Sequence, residues 1–398
     1  MRGVAALSVV CGHAVTMRFG MGLSPEVAFD VLGLLQSGVV DVFFVISGFI
    51  IASTAAEIGN ASGRLGAMEF AAKRAGRIYP VYWLILATAV ASSYWIDVFP
   101  PEAKLTNHHV SLEHIFSLST GNYFVSPAWS LCFELYFYAA VAVIVLLTPR
   151  YVMQILVATV FVVATLDLAT NIHFAIYSDP ITLEFGFGVC IACLVKHGFH
   201  PSWPRTAAAL ALCLFVAGAY IAAGGHWISG FQRVATYGLG SALLIYAVVV
   251  SEIDGARFPK WLQYLGAMSY SLYISHHLLL TWLAKYNPSR IPGPIQIATW
   301  IGLALVLAVV LYEFFERPIL RRLKMVSLIR RDANMIASPA VGDLGGDGVV
   351  GILRDGRVGG PRKEVDAGSY ANEYIATDYA ASTVIAHASC GGARGNVE

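Results

Sequence analysis

Residues 1–20, "MRGVAALSVVCGHAVTMRFG", are an apolar stretch with a histidine in its middle. The run from about 4 to 20 is long enough to cross a hydrocarbon core of ~30 Å as a helix. A polar side chain inside such a span is costly, so His13 is expected to face a protein interior or a water-filled cavity. Arg2 lies eleven residues before it, about 16 Å of rise and close to three full turns, so the two share one face. An arginine that sets topology, plus a histidine bonded to a neighbouring helix, explains the same pair without chemistry. A cleaved signal peptide is the rival reading of the stretch. No A-x-A-like site follows and His13 breaks the apolar core, so a retained first span is expected.

The same pattern recurs along the 398 residues, of which 57% are apolar and 13% charged, where soluble chains carry about a quarter charged. Apolar runs fall at about 4–20, 37–56, 79–97, 127–147, 151–170, 180–197, 206–224, 234–250, 262–284 and 295–315. The expected fold is an all-α integral membrane bundle of about ten transmembrane helices with a cytoplasmic N-terminus. With that orientation the outer loops hold only Arg18, Lys104, Arg233, Lys285 and Arg290 among the basic residues of 1–331. The remaining arginines and lysines of that stretch fall inside, as the positive-inside rule requires. A net charge of +1 gives no indication of a nucleic-acid partner.

Cys11, Cys132, Cys190, Cys193 and Cys213 all lie in these runs and read as small apolar residues. Cys190 and Cys193 form a lone C-x-x-C without a second pair or adjacent histidines, so no metal site is expected. After Arg331 the composition changes to "GDLGGDGVVGILRDGRVGGPRKEVDAG" (342–368), and 332–398 reads as a Gly-rich, cytoplasmic, disordered tail. The longest loop between spans, about 98–126, has room for a short interfacial helix.

The remaining polar residues inside spans are site candidates. In "SGVVDVFFVISGFI" (37–50), Asp41 lies about one turn below the outer surface, or caps the helix there. Ser47 and Gly48 lie deeper, where small residues let helices approach closely. "AAKRAGRIYPVYW" (71–83) puts Lys73, Arg74 and Arg77 on the cytoplasmic side, suited to bidentate contacts with a polyphosphate or to plain anchoring. In "SPAWSLCFELYFY" (126–138), Ser130 and Glu134 share a helix face about two turns in from outside. "SYSLYISHH" (269–277) presents Tyr273 with His276 and His277 on one face. "YEFFERP" (312–318) puts Glu313 and Glu316 at the inner end of the tenth run, with Arg317 or Arg74 as partners for Glu316. By depth, Arg2, Arg74, Arg77 and Glu316 belong inside, His13 near the middle, and Asp41, Glu134 and His276 toward the outside. A polar conduit is implied.

These motifs, in this order, resemble the membrane-bound acyltransferase 3 family, bacterial O-acetyltransferases of surface polysaccharides. The resemblance runs over about 1–325, through Arg-x10-His, "VDVFFVISGFI", the R-x-x-R of "RAGRIYP", "AWSLCFELYFY", "EFGFG" (184–188), "SYSLYISH" and "FERP". The "WSLCFE" and "EFGFG" spellings look most like exopolysaccharide-type members. The resemblance implies a transmembrane acyltransferase domain over 1–331 in a bacterial inner membrane. It implies transfer of an acetyl or other acyl group from cytoplasmic acetyl-CoA to a hydroxyl of a surface or exported polysaccharide, lipopolysaccharide or lipid-linked glycan. It carries essential roles to Arg2 and His13, and donor binding to Arg74 and Arg77.

The chemistry suits that assignment. A sugar hydroxyl must lose a proton as it attacks a thioester, and histidine, with an ordinary pKa of about 6.5, is a base suited to neutral pH. His13 is expected to be that base or to be transiently acylated, with Glu134 or Asp41 orienting it or the acceptor. Arg2, Lys73, Arg74 and Arg77 would hold the donor. Ser130, Tyr273, His276 and Glu316 remain further candidates. Two other classes fit the composition: a proton-coupled transporter of a sugar or acyl compound, and a non-catalytic acyl-CoA binder.

Overall fold

The computed structural model describes residues 1–19, 38–95, 110–120, 124–159, 162, 180–223, 230–286, 293–323 and 325. Among these residues the chain is helical throughout and contains no strand. Five segments are long and apolar enough to cross a membrane: Gly38–Ala55, Ala128–Leu147, Pro204–Ala222, Gly230–Ile253 and Gly293–Leu323. The tail at 332–398 and half of the expected span at 151–170 lie outside the described residues.

Helix α1 (Arg2–Phe19) carries Arg2 and His13. It packs against α9 (Lys260–Ala267), α10 (Ser269–Lys285) and α11 (Gly293–Leu311). Gly3 makes the approach to α9 possible, because a Cβ there would lie 2.5 Å from the Leu265 carbonyl carbon.

Helix α2 (Gly38–Trp95) is 58 residues long with Pro80 inside it. Laid straight it would reach about 87 Å, nearly three times a hydrocarbon core. It does not run straight. Ser47 and Arg74 are 27 residues apart, about 40 Å along a straight helix, yet both lie against one turn of α4 (Ala128–Leu147). Ser47 bonds Glu134, and the Arg74 guanidinium carbon sits 5.6 Å from the Tyr138 ring centre. The helix therefore doubles back between them, placing the "SG" segment and the R-x-x-R segment side by side. Two stretches read separately in the sequence become one site.

The first half of α2 crosses α5 (Leu183–Lys196) almost backbone to backbone. A Cβ on Gly48 would lie 2.0 Å from the Phe185 carbonyl oxygen, and one on Gly188 would lie 2.1 Å from the Val45 oxygen. The glycines of "ISGFI" and "EFGFG" face each other, the small-residue route by which apolar helices gain van der Waals contact without help from water.

The 98–126 loop does contain a short helix, α3 (Leu112–Phe116). Ser111 caps its start, and Ser117, with φ 54°, ends it in the left-handed region. Its last carbonyls, which a helix leaves unsatisfied, are taken by aromatic side chains of α2. The Tyr82 hydroxyl donates to the His114 oxygen, Trp83 Nε1 to Ile115 at 2.9 Å and the Tyr79 hydroxyl to Phe116 at 3.4 Å. The loop is thereby pinned to the second half of α2.

The remaining helices are α6 (Pro204–Ala223), α7 (Gly230–Arg233) and α8 (Leu239–Ile253). Two π-helical turns, Val234–Gly238 before α8 and Tyr312–Glu316 after α11, interrupt otherwise regular spans. Such turns are uncommon and concentrate at functional positions. One abuts Arg233 and the other ends on Glu316.

Candidate active site

The α1 stripe reaches two polar clusters. At its start, Arg2 Nη2 donates to Ser47 Oγ at 3.0 Å and lies 3.9 Å from Glu134 Oε1. The Ser47 hydroxyl in turn donates a hydrogen bond to the same carboxylate oxygen, which also accepts from the Tyr138 hydroxyl at 2.7 Å. Arg74 completes the cluster from the returning half of α2, 5.5 Å from the Phe70 ring centre and 5.6 Å from that of Tyr138. Its Nε is buried without a hydrogen-bond partner. A guanidinium held by aromatic faces with a donor to spare is suited to receive an anion.

This geometry corrects the depths expected from span counting. Glu134 was expected toward the outside and Arg2 inside, but the two meet. Counting fixes the direction of a helix and leaves its displacement along its axis open. The carboxylate is thus in the arginine cluster.

Arg77 lies next in the R-x-x-R, its Nε 4.0 Å from Glu316 Oε1. Ser271 holds the other oxygen of Glu316 at 2.6 Å. Of the two partners considered for Glu316, Arg317 instead pairs with Glu313, one turn back on its own helix, and Arg74 faces Tyr138. Lys73 is committed to Glu69 at 2.7 Å across one helical turn.

The second cluster lies three turns along α1. The His13 ring centre is 5.3 Å from that of His276 and 5.4 Å from that of His277. His276 is fully buried, and its Nδ1 is 2.5 Å from the Tyr273 carbonyl oxygen. The Tyr273 hydroxyl is 2.8 Å from Ser130 Oγ, which ties "AWSLCFE" to "SYSLYISHH". Phe43 packs on the Tyr273 ring at 5.4 Å. Among the described residues no group of three or more His, Cys, Asp or Glu is arranged to hold a metal ion.

Asp41 stands in a different relation. Arg233 donates to both of its oxygens, Nε to Oδ1 at 3.0 Å and Nη2 to Oδ2 at 2.7 Å. The structure places the fully buried Asp41 carboxylate in an ion pair with a part-buried Arg233, with Arg233 and not His13 as its charge partner. Sequence reasoning gave Ser47 only a close-packing role and Arg233 only that of an outer-loop charge, and it missed Tyr138 and Glu184 as site residues. Tyr138 was detectable as the i+4 neighbour of Glu134. Glu184 is wholly buried, with Oε1 3.0 Å from where a Cβ on Gly238 of the first π-turn would lie. Arg233, 192 residues from Asp41, carried no local signal beyond its charge.

Arginines beside a carboxylate thus lie at the start of α1 and three imidazoles lie three turns along it. The chain belongs to the acyltransferase 3 family: residues 1–313 match that family's acyltransferase domain. It is an O-acyltransferase, which sets aside the transporter and the non-catalytic binder.

It is 31% identical over 309 residues to the exopolysaccharide production protein ExoZ of Rhizobium meliloti (strain 1021), covering 71% of this chain and 89% of that one. It is 26% identical over 368 residues to the O-acetyltransferase OatA of Staphylococcus aureus (strain NCTC 8325 / PS 47), covering 77% of this chain and 58% of that one. The chain thus spans little more than half the length of OatA. No solved structure matches the chain.

Proposed function

We propose that this protein transfers an acetyl group from acetyl-CoA, drawn from the cytoplasm, to a hydroxyl of an exported polysaccharide or its lipid-linked precursor at a bacterial inner membrane. The arrangement supporting it is the single stripe of α1, which joins the Arg2–Ser47–Glu134–Arg74 cluster to the His13–His276–His277 cluster about 16 Å away. The first cluster, with Arg77 beside it, would take the phosphates of coenzyme A, and the second would receive the thioester. Ten spans with both ends cytoplasmic would bring Arg2 and the R-x-x-R to the donor's side. The exopolysaccharide acceptor is favoured by the name of ExoZ, of which this chain covers 89%.

His13 and His277 are part-buried, whereas His276 is sealed in, so an acceptor can reach His13 but not His276. As the acceptor oxygen bonds to the acetyl carbon, His13 takes the hydroxyl proton. The carbon–sulfur bond breaks and the departing thiolate recovers that proton from the imidazolium, leaving ester and free coenzyme A.

The test is coenzyme A release from acetyl-CoA by the purified protein, with membrane glycolipids as acceptor, for wild type and His13→Ala. Release that requires both acceptor and His13 is expected. Acceptor-dependent release that survives in His13→Ala removes His13 from the chemistry. No release by the folded wild type rejects the reading.

A further inference from the structure

The sequence offers His276 as a candidate without a role, and the structure gives it one. We propose that His276 is a positioning residue that accepts a hydrogen bond from His13 and thereby selects the tautomer in which His13 acts. The proposal rests on His13 being the base of the acetyl transfer described above.

The argument starts from the nitrogen that is satisfied. Nδ1 of His276 lies 2.5 Å from the Tyr273 carbonyl oxygen, and a carbonyl can only accept, so Nδ1 carries the proton. In a neutral ring this leaves Nε2 as a bare acceptor. That atom is fully buried and has no hydrogen-bond partner. A buried acceptor left unmade is costly, so a donor is called for.

Two imidazoles face it. The ring centre of His277 is 6.4 Å from that of His276, and that of His13 is 5.3 Å away. An N–H···N bond of about 2.9 Å between two imidazoles separates their centres by roughly 5 Å, which fits His13 and not His277. The 5.3 Å between the two ring centres leaves room for that bond. His276 can then accept from only one nitrogen of His13, leaving the other free of its proton and available to the acceptor hydroxyl. When His13 takes that proton, both its nitrogens carry hydrogen, and the one facing His276 still has its acceptor. No atom of His276 bonds to substrate, so its effect comes through His13.

The variants that separate these roles are His276→Leu, which removes the acceptor, and His276→Gln, whose amide oxygen can stand near the Nε2 position. For His276→Leu we expect kcat for acetyl transfer to fall roughly 100-fold, as for loss of a correctly poised general base. The KM for acetyl-CoA should stay within about twofold and His276→Gln should recover at least tenfold of the loss.

A second readout does not depend on turnover. Nitrogen-15 spectra of histidine-labelled protein, with His13 assigned by difference from His13→Gln, should show one His13 tautomer in wild type and in His276→Gln, and a mixture in His276→Leu. Unchanged kcat, or an unchanged single tautomer in His276→Leu, overturns the proposal. If wild type transfers no acetyl group but the tautomer shifts as expected, the acetyl-transfer reading fails and the His13–His276 relation stands.

Discussion

Asp41 and Arg233, 192 residues apart, meet through two parallel hydrogen bonds of 3.0 and 2.7 Å, with the carboxylate fully buried. The pair fixes the first turn of α2 against the turn that opens into the first π-helix, Val234–Gly238. Fork-to-fork geometry of this kind is specific to arginine.

Arg233→Ala leaves a buried carboxylate without compensation and should destabilise the fold by about 3–5 kcal/mol. Arg233→Lys keeps the charge and loses one of the two bonds, so it should cost less. Combining Asp41→Asn with Arg233→Gln removes both charges and should recover part of the loss. Thermal unfolding of the detergent-purified variants checks the order, and equal melting temperatures for Arg233→Ala and wild type would show the pair to be idle.

The crossing of α2 over α5 makes a prediction about glycines. With a Cβ at Gly48 or Gly188 the new atom would stand 2.0–2.1 Å from a backbone oxygen. Backbone cannot step aside as a side chain can, so Gly48→Ala and Gly188→Ala should each lose about 1–3 kcal/mol or fail to accumulate. Gly302 on α11 has nothing within 4 Å of its would-be Cβ. Gly302→Ala should leave the melting temperature unchanged or raise it slightly, since alanine is the better helix former by about 1 kcal/mol.

Much of this was legible beforehand because it is periodic or local. The eleven-residue spacing that puts Arg2 and His13 on one stripe is arithmetic on 3.6 residues per turn, and so is the shared face of Tyr273, His276 and His277. What could not be read was how far each helix slides along its neighbours. Glu134 looked shallow by counting from the start of α4, yet Arg2 lies 3.9 Å from it, with Ser47 of the first half of α2 bonded to both. Glu316 was read with Arg317 or Arg74 as its partner, and the structure instead puts Arg77 beside one oxygen and Ser271 on the other. Arg233 looked like a topology charge because its partner lies in a distant span.

Tyr138 allows its ring and its hydroxyl to be tested separately. Its hydroxyl donates to Glu134 at 2.7 Å, while its ring supports the Arg74 guanidinium. Tyr138→Phe removes one hydrogen bond and keeps the face, so the KM for acetyl-CoA should rise only a few-fold, in keeping with about 1 kcal/mol. Tyr138→Leu removes the face as well and should raise KM further by loosening Arg74. Steady-state kinetics with acetyl-CoA as the varied substrate decides it; identical KM values for the two variants would mean that the ring does not orient Arg74.

Glu316 gives the last prediction, because it sits in the second π-turn with one oxygen held by Ser271 and the other near Arg77. In the proposed donor site the carboxylate would hold Arg77 toward acetyl-CoA, so removing it should act on binding rather than on the chemical step. Glu316→Gln keeps an acceptor for Ser271 and loses the charge facing Arg77. It should raise the KM for acetyl-CoA by roughly tenfold, the equivalent of about 1.4 kcal/mol, with kcat little changed. Ser271→Ala frees the oxygen at 2.6 Å and should produce the same change in smaller measure. A fall in kcat at constant KM in Glu316→Gln would instead place this carboxylate in the transfer step and leave Arg77 to be oriented by other contacts.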